Sequence, residues 1–209
     1  MTFDPSLNLE REAVYLKGCT LPSFRVWRST DSVVLGRFLE PGNEVRLDRA
    51  RELNVPVLRR TTGGGAVFHD LGNINYSIYL PIGCIATFNI EESLRALSFP
   101  VTDTLDLLGV PWSWEPPNNV YVGGRKISGS AQARSGGRLL HHGTLLVDTD
   151  LNRMSLLLKE GGRSCVAPVT NLKEWAPGID AGQAADLLLK VVTGDFATPG
   201  GALAAAHSS

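Results

Sequence analysis

The sequence predicts an α+β domain with a mainly antiparallel or mixed sheet packed with helices, and three observations carry that expectation. Short β-branched and aromatic runs are joined by hairpin-length turns, helical periodicities lie between them, and the one triple-glycine loop sits between two strands. The last point argues against a doubly wound dinucleotide fold, because the loop lacks both the GxGxxG spacing and the Lys-Ser/Thr of a P-loop. At 209 residues the chain is most simply one domain, expected over 1–196 with a weakly ordered tail over 197–209. A hydrophobic content of 43% and a charged content of 20% are those of an ordinary globular protein, and a net charge of −1 leaves no generally basic surface for nucleic acid. No basic and apolar leader opens the chain and no apolar run is long enough to span a bilayer, so a cytoplasmic address is expected, with no membrane partner. Cys19, Cys84 and Cys165 are too widely spaced for a disulfide framework or a CxxC metal pair, and read as free thiols.

Taken in order, Ser6 is the candidate N-cap of an opening helix whose inner face carries Leu7, Leu9, Ala13, Val14 and Leu16, ending at Gly18. Phe24 to Trp27 and Ser32 to Leu35 read as a hairpin around Ser29-Thr30-Asp31. Asn43 to Leu53 has helical spacing, and Val57 to Arg60 is the strand that leads into the glycine loop. Ala66 to Phe68 and Ile74 to Leu80 follow as strands, joined by a turn containing Asp70, Gly72 and Asn73. Ile90 to Leu108 is helical but interrupted near Pro100, which fits two helices or one kinked helix equally well. Four strands come next, Trp112 to Trp114, Val120 to Val122, Ile127 to Ala131 and Leu139 to Val147, with Gly123-Gly124-Arg125 as a hairpin turn. Asp150 to Leu158 and Ala181 to Val192 are the closing helices.

Three stretches carry chemistry. Arg59 to Asp70 combines two guanidinium groups, two threonines and the run Gly63-Gly64-Gly65 ahead of a short apolar segment. Consecutive glycines cost folding entropy, and close approach of backbone N–H groups to an anion compensates that cost. A plain hairpin turn with two surface arginines is the bland alternative. Lys126, within Gly123 to Ala131, stands at the start of a strand among residues too small to shield it, so its compact charge suits a carboxyl oxygen and an α-phosphate. Ser128 and Ser130 in the same stretch are weaker candidates. His141 and His142 are adjacent on a strand and face opposite ways, which argues against a shared metal; one of them, His142, is placed at the cleft.

Together these stretches resemble the lipoate–protein ligases, within the wider group of biotin and lipoyl protein ligases. The matching segments are RRTTGGGAVFHDLGN at 59–73, GGRKISGSA at 123–131, HHGTLLVDTDL at 141–151 and VTNL at 169–172, and the likeness runs from about Asn8 to about Phe196. The resemblance implies that a lipoate or octanoate carboxylate attacks ATP to give an acyl-adenylate and pyrophosphate, and that a lysine of a lipoyl-carrier protein, a lipoyl domain or an H-protein-like one, then takes the acyl group. It implies Arg60 at the ATP phosphate, and Gly64, Gly65, Ala66, Val67, Phe68 and His69 along the nucleotide and acyl pocket. Lys126 would hold the carboxyl and α-phosphate oxygens, with Asn119 and Ala131 near the nucleotide and His142 in the acyl wall. Mg²⁺ is expected to accompany ATP, with no protein ligand set for it, and the enzyme is expected to act as a monomer.

The sequence departs from the family pattern at three places. Asn119 stands where many members have Asp, Cys165-Val166-Ala167-Pro168 replaces a segment that usually carries arginine, and no counterpart of the accessory C-terminal domain follows. A separate partner chain or a self-sufficient compact ligase both fit the last point. The alternative enzyme is a cofactor-free octanoyl or lipoyl transferase between carrier proteins, working through a thioester on Cys165.

Overall fold

The computed structural model describes residues 3–85, 87–160 and 168–197. Its helices are α1 (Pro5–Gly18), α2 (Pro41–Glu44), α3 (Leu47–Glu52), α4 (Ile90–Ala96), α5 (Phe99–Leu107), α6 (Leu151–Leu157) and α7 (Ala181–Ala197). Its strands are β1 (Ser23–Trp27), β2 (Ser32–Leu35), β3 (Val57–Arg59), β4 (Val67–His69), β5 (Asn73–Pro81), β6 (Ser113–Glu115), β7 (Asn119–Val122), β8 (Arg125–Ser135) and β9 (Arg138–Leu146). A six-stranded antiparallel sheet has the order β1-β5-β9-β8-β7-β6, and a three-stranded mixed sheet the order β3-β2-β4. The expected α+β class is what the chain adopts.

Alternation along β5 decides which face of the large sheet does what. Ile74, Tyr76, Ile78 and Leu80 join α5 and α7 in the main core, with Val101, Leu105, Leu188 and Val192. Asn73, Asn75, Ser77 and Tyr79 therefore face the other way, toward α1 and the small sheet, and all four are buried. A buried sheet face this polar is a site in the making, since each polar group needs a partner or a ligand. The small sheet has a core of its own, where Val33, Leu35 and Phe68 pack with Ala50 of α3 and Leu157 of α6.

The opening helix differs from its expected form. Asp4 is its N-cap, accepting from the Leu7 N–H at 2.8 Å, with Pro5 in the first turn; Ser6 only donates to the same carboxylate. The predicted inner face is also turned: Leu7 and Val14 are exposed, while Asn8, Glu12 and Leu16 are buried at i, i+4 and i+8. The sheet face below offers polar partners, so the helix docks on its amide and carboxylate.

Two further corrections follow from burial. β1 and β2 form no hairpin but belong to different sheets, because all four residues of β2 are buried and β2 is the central strand of the small sheet. The segment 43–53 divides into α2 and α3 at extended Val45, which bridges to Leu158, while the Arg46 N–H reaches the Leu157 carbonyl. At Pro100 the structure selects two helices, α4 and α5. The Gly123-Gly124 turn forms as expected, both residues having positive φ. The expected tail beyond Ala197 and the whole of Cys165's surroundings lie outside the described residues.

Candidate active site

An open-mouthed cleft lies between the polar face of the large sheet, α1, β2, β4 and the glycine loop. Arg60, Gly64, Gly65, Ala66, Val67, His69, Asn119, Lys126, Ala131 and His142 all line it. Phe68 does not. It alternates with Val67 and His69 on β4 and is buried in the core of the small sheet, so the pocket role that the resemblance gave it is corrected.

Close packing of backbone shapes the loop. A Cβ on Gly36 would sit 2.1 Å from the Gly64 carbonyl oxygen, so the turn after β2 supports the loop only as glycine. Gly64 has φ +91°, which glycine adopts without strain. Behind the loop, Arg60 is buried and donates to its own surroundings: Nε to Thr62 Oγ1 at 2.8 Å, Nη1 to the Val34 carbonyl at 3.0 Å and Nη2 to the Gly63 carbonyl at 2.7 Å. Burial pulls its pKa down to about 10, which leaves it charged at neutral pH. The arginine therefore acts as a fixed positive charge beneath the glycine backbone, with two of its donors tied into the loop and one into β2.

A hydrogen-bonded chain joins that loop to α1. His142 Nδ1 lies 3.0 Å from Glu12 Oε1, and a carboxylate only accepts, so the proton sits on Nδ1. In that tautomer His142 Nε2 accepts from Thr62 Oγ1 at 2.7 Å, while the Thr62 oxygen accepts from Arg60. Ser77 donates to Glu12 Oε1 at 2.5 Å, and Trp27 Nε1 donates to Ser77 at 2.9 Å. Burial opposes ionisation of Glu12, yet His142, Ser77 and Arg25 together hold its pKa below the usual carboxylate value. Burial, with a contribution from Arg60, takes His69 down to about 3, so it is neutral at working pH.

Lys126 sits where β8 begins, bonded through its backbone N–H to the Pro168 carbonyl and through its carbonyl to the Thr170 N–H. Its side chain runs back over Gly129: a Cβ there would meet Nζ at 2.8 Å and Asn119 Oδ1 at 3.3 Å. Gly129 thus makes room for the lysine, and Lys126 and Asn119 converge on one spot of the cleft wall. The Val169 to Leu172 segment holds this end, with Asn171 accepting from the Thr149 N–H at 3.0 Å and capping a short 3-10 turn. His141 faces away into the main core, where Tyr76 and Gln132 partner its two nitrogens.

Sequence reasoning missed Leu9, Glu12, Trp27, Asn75 and Thr144 as cleft residues. They come from α1, β1, β5 and β9, and only the sheet register brings them together. The signal within reach was the i, i+4 spacing of Asn8 and Glu12, a polar stripe among apolar helix positions.

The model of the lipoyl protein ligase A/B catalytic domain matches residues 4–193. The chain is 34% identical over 204 residues to the lipoate-protein ligase A of Bdellovibrio bacteriovorus, covering 90% of this chain and 58% of that protein. It spans about half the length of the curated relatives it matches, 49 to 58%. Among solved structures, a bi-partite lipoate protein ligase described with its E2 lipoyl domain from Thermoplasma acidophilum superposes with a TM-score of 0.81 at 27% identity, over 92% of this chain and 80% of that one. A T. acidophilum protein with bound lipoic acid gives 0.80 at 26%, over 93% and 82%. No described helix is long and apolar enough to cross a membrane. With the glycine loop, the lysine strand and the histidine strand gathered on one cleft inside the matched span, the chain belongs to the lipoyl protein ligase A/B catalytic domain family.

Proposed function

We propose that the chain is a lipoate–protein ligase catalytic unit: it activates lipoate, or octanoate, with ATP and passes the acyl group to a lysine of a lipoyl-carrier protein. The observation that supports this most is the convergence of Lys126 and Asn119 over Gly129, on a cleft whose rim is the glycine loop. In the first step a carboxylate oxygen of the acid bonds to the α-phosphorus of ATP as the bond to pyrophosphate breaks. Lys126 supplies positive charge between the two sets of oxygens, and the Gly64-Gly65 backbone with the Arg60 charge behind it faces the phosphates. In the second step the neutral amine of the acceptor lysine attacks the acyl carbon, AMP leaves, and the amine proton is lost. Positioning and electrostatics account for this chemistry, with no covalent link to the protein.

Mg²⁺ enters as the ion carried by ATP. The wall near Lys126 offers the amides of Asn118 and Asn119 rather than carboxylates, and Glu12 is committed to His142, so the lining does not fit a protein-held metal and no step is routed through one. The acceptor is a lipoyl domain or a similar carrier, and a separate accessory chain belongs to the proposal by likeness to the bi-partite ligase of Thermoplasma acidophilum.

The test incubates the purified protein with lipoate, Mg-ATP and a lipoyl domain, following pyrophosphate release and the mass of the domain. Release with a matching mass gain is expected; release without the gain points to a missing partner chain or the wrong carrier. A second arm gives acylated carrier and no ATP. Transfer there that vanishes in Cys165→Ser would overturn the ligase reading in favour of a thioester mechanism.

A further inference from the structure

The deep end of the cleft contains two buried polar atoms with no partner. Asn75 Nδ2 and His69 Nδ1 make no hydrogen bond, although Asn75 is 2% and His69 4% exposed, and both residues line the cleft. Groups so placed want a ligand, because an unpaired buried polar atom is costly. Trp27 completes this end, its ring edge-on to His69 with centroids 5.8 Å apart.

The strand register gives the distance from this end to the reacting one. Asn75 pairs with Trp27 on one side and with Thr144 on the other, so the three share a row and a face. Ala131 pairs with His142, which puts Gly129, two residues along β8, beside Thr144 on the same face. Gly129 is the residue over which the Lys126 ammonium lies. From Gly129 to Asn75 is two strand spacings, about 10 Å, the reach of an extended medium-chain acyl group whose carboxylate sits at Lys126. The far end of such a chain therefore arrives at Asn75 and His69, not at an apolar floor.

We infer that Asn75 and His69 form a polar seat for the terminal ring of the acyl substrate, so that the cleft reads a sulfur-bearing five-membered ring in preference to a plain methyl end. The inference rests on the proposed acyl-activating function. A ring sulfur is a weak, polarisable acceptor that an amide N–H can meet, and it packs well against the Trp27 ring. The methyl end of octanoate would leave the same amide unpaired, which makes Asn75 a specificity-determining residue.

Calorimetry with lipoate and with octanoate, on the full chain and on Asn75→Leu and Asn75→Ala, reads the preference directly. Asn75→Leu removes the amide while keeping its bulk, and Asn75→Ala removes both, with thermal unfolding followed for each. The expected result is a lipoate-over-octanoate affinity ratio that falls by about tenfold in Asn75→Leu, octanoate gaining as lipoate loses. Unfolding of Asn75→Leu leaves the decision to Asn75→Ala, where the ratio should fall as well. An unchanged ratio in whichever variant folds overturns the seat while leaving the ligase reading intact. If the unaltered protein releases no pyrophosphate with either acid, the ligase reading fails first and the seat with it.

Discussion

Glu12 and Lys126 are the two residues on which the account leans hardest, and they do different work. Glu12 is a fully buried carboxylate whose oxygens meet His142 and Ser77, so removing it strands an imidazole N–H and a hydroxyl in the interior. Glu12→Ala should cost about 3 kcal/mol of unfolding free energy, in line with leaving buried donors without a partner, and urea denaturation measures it; a loss within about 0.5 kcal/mol, as at an ordinary surface site, would mean that the chain across the cleft is ornamental. In the proposed reaction the contribution of Lys126 falls in the transition state. Lys126→Ala should stay folded and lower the rate of adenylate formation by roughly a hundredfold or more, a loss that rapid-quench measurement would separate from binding. Near-normal turnover would remove the lysine from the mechanism.

Among the elements, the glycine loop, the Lys126 strand and the His142 strand were legible because each announces itself through an ordered run of unusual residues. Neither the turned face of α1 nor the separation of β1 from β2 could be read that way. Asn8 and Glu12 look like solvent positions until the polar face of β5 lies beneath them, and β2 looks like half of a hairpin until the small sheet claims it. Phe68 was misplaced for a simpler reason, since a motif carries residue order but the alternation of β4 decides which side chains reach the cleft. The loop itself rests on Gly36, a residue outside every motif. Gly36→Ala should displace the loop and abolish adenylate formation, because its methyl meets backbone that has nowhere to go, whereas Gly63→Ala, with nothing within 4 Å, should retain most of it. Equal activities in a pyrophosphate-release assay would show that the loop tolerates the clash and is not positioned by Gly36.

At the scale of the whole molecule, two buried histidines tie stability to pH. His69 and His141 both fall from 6.5 to about 3, chiefly through burial. The unfolded chain takes up protons that the folded one refuses, so stability is complete above about pH 6.5 and declines as pH falls toward 3, by about 1.4 kcal/mol per pH unit for each ring. Glu12, held below its ordinary value, adds to the loss at the acid end, and Asp70, raised by burial, works weakly against it. Urea midpoints at pH 7.5, 6 and 5 should drop steadily below 6.5; a flat series would contradict the buried neutral rings. The fold that sets these values also places a buried arginine, a glycine loop and the Lys126 side chain on one cleft, which the proposal reads as the seat of acid activation. Lipoate-dependent exchange of labelled pyrophosphate into ATP tests that claim most directly, because it isolates adenylate formation from transfer to the carrier. The account predicts exchange that requires lipoate or octanoate and is lost in Lys126→Ala; no acid-dependent exchange, or exchange that survives the substitution at full rate, would contradict it.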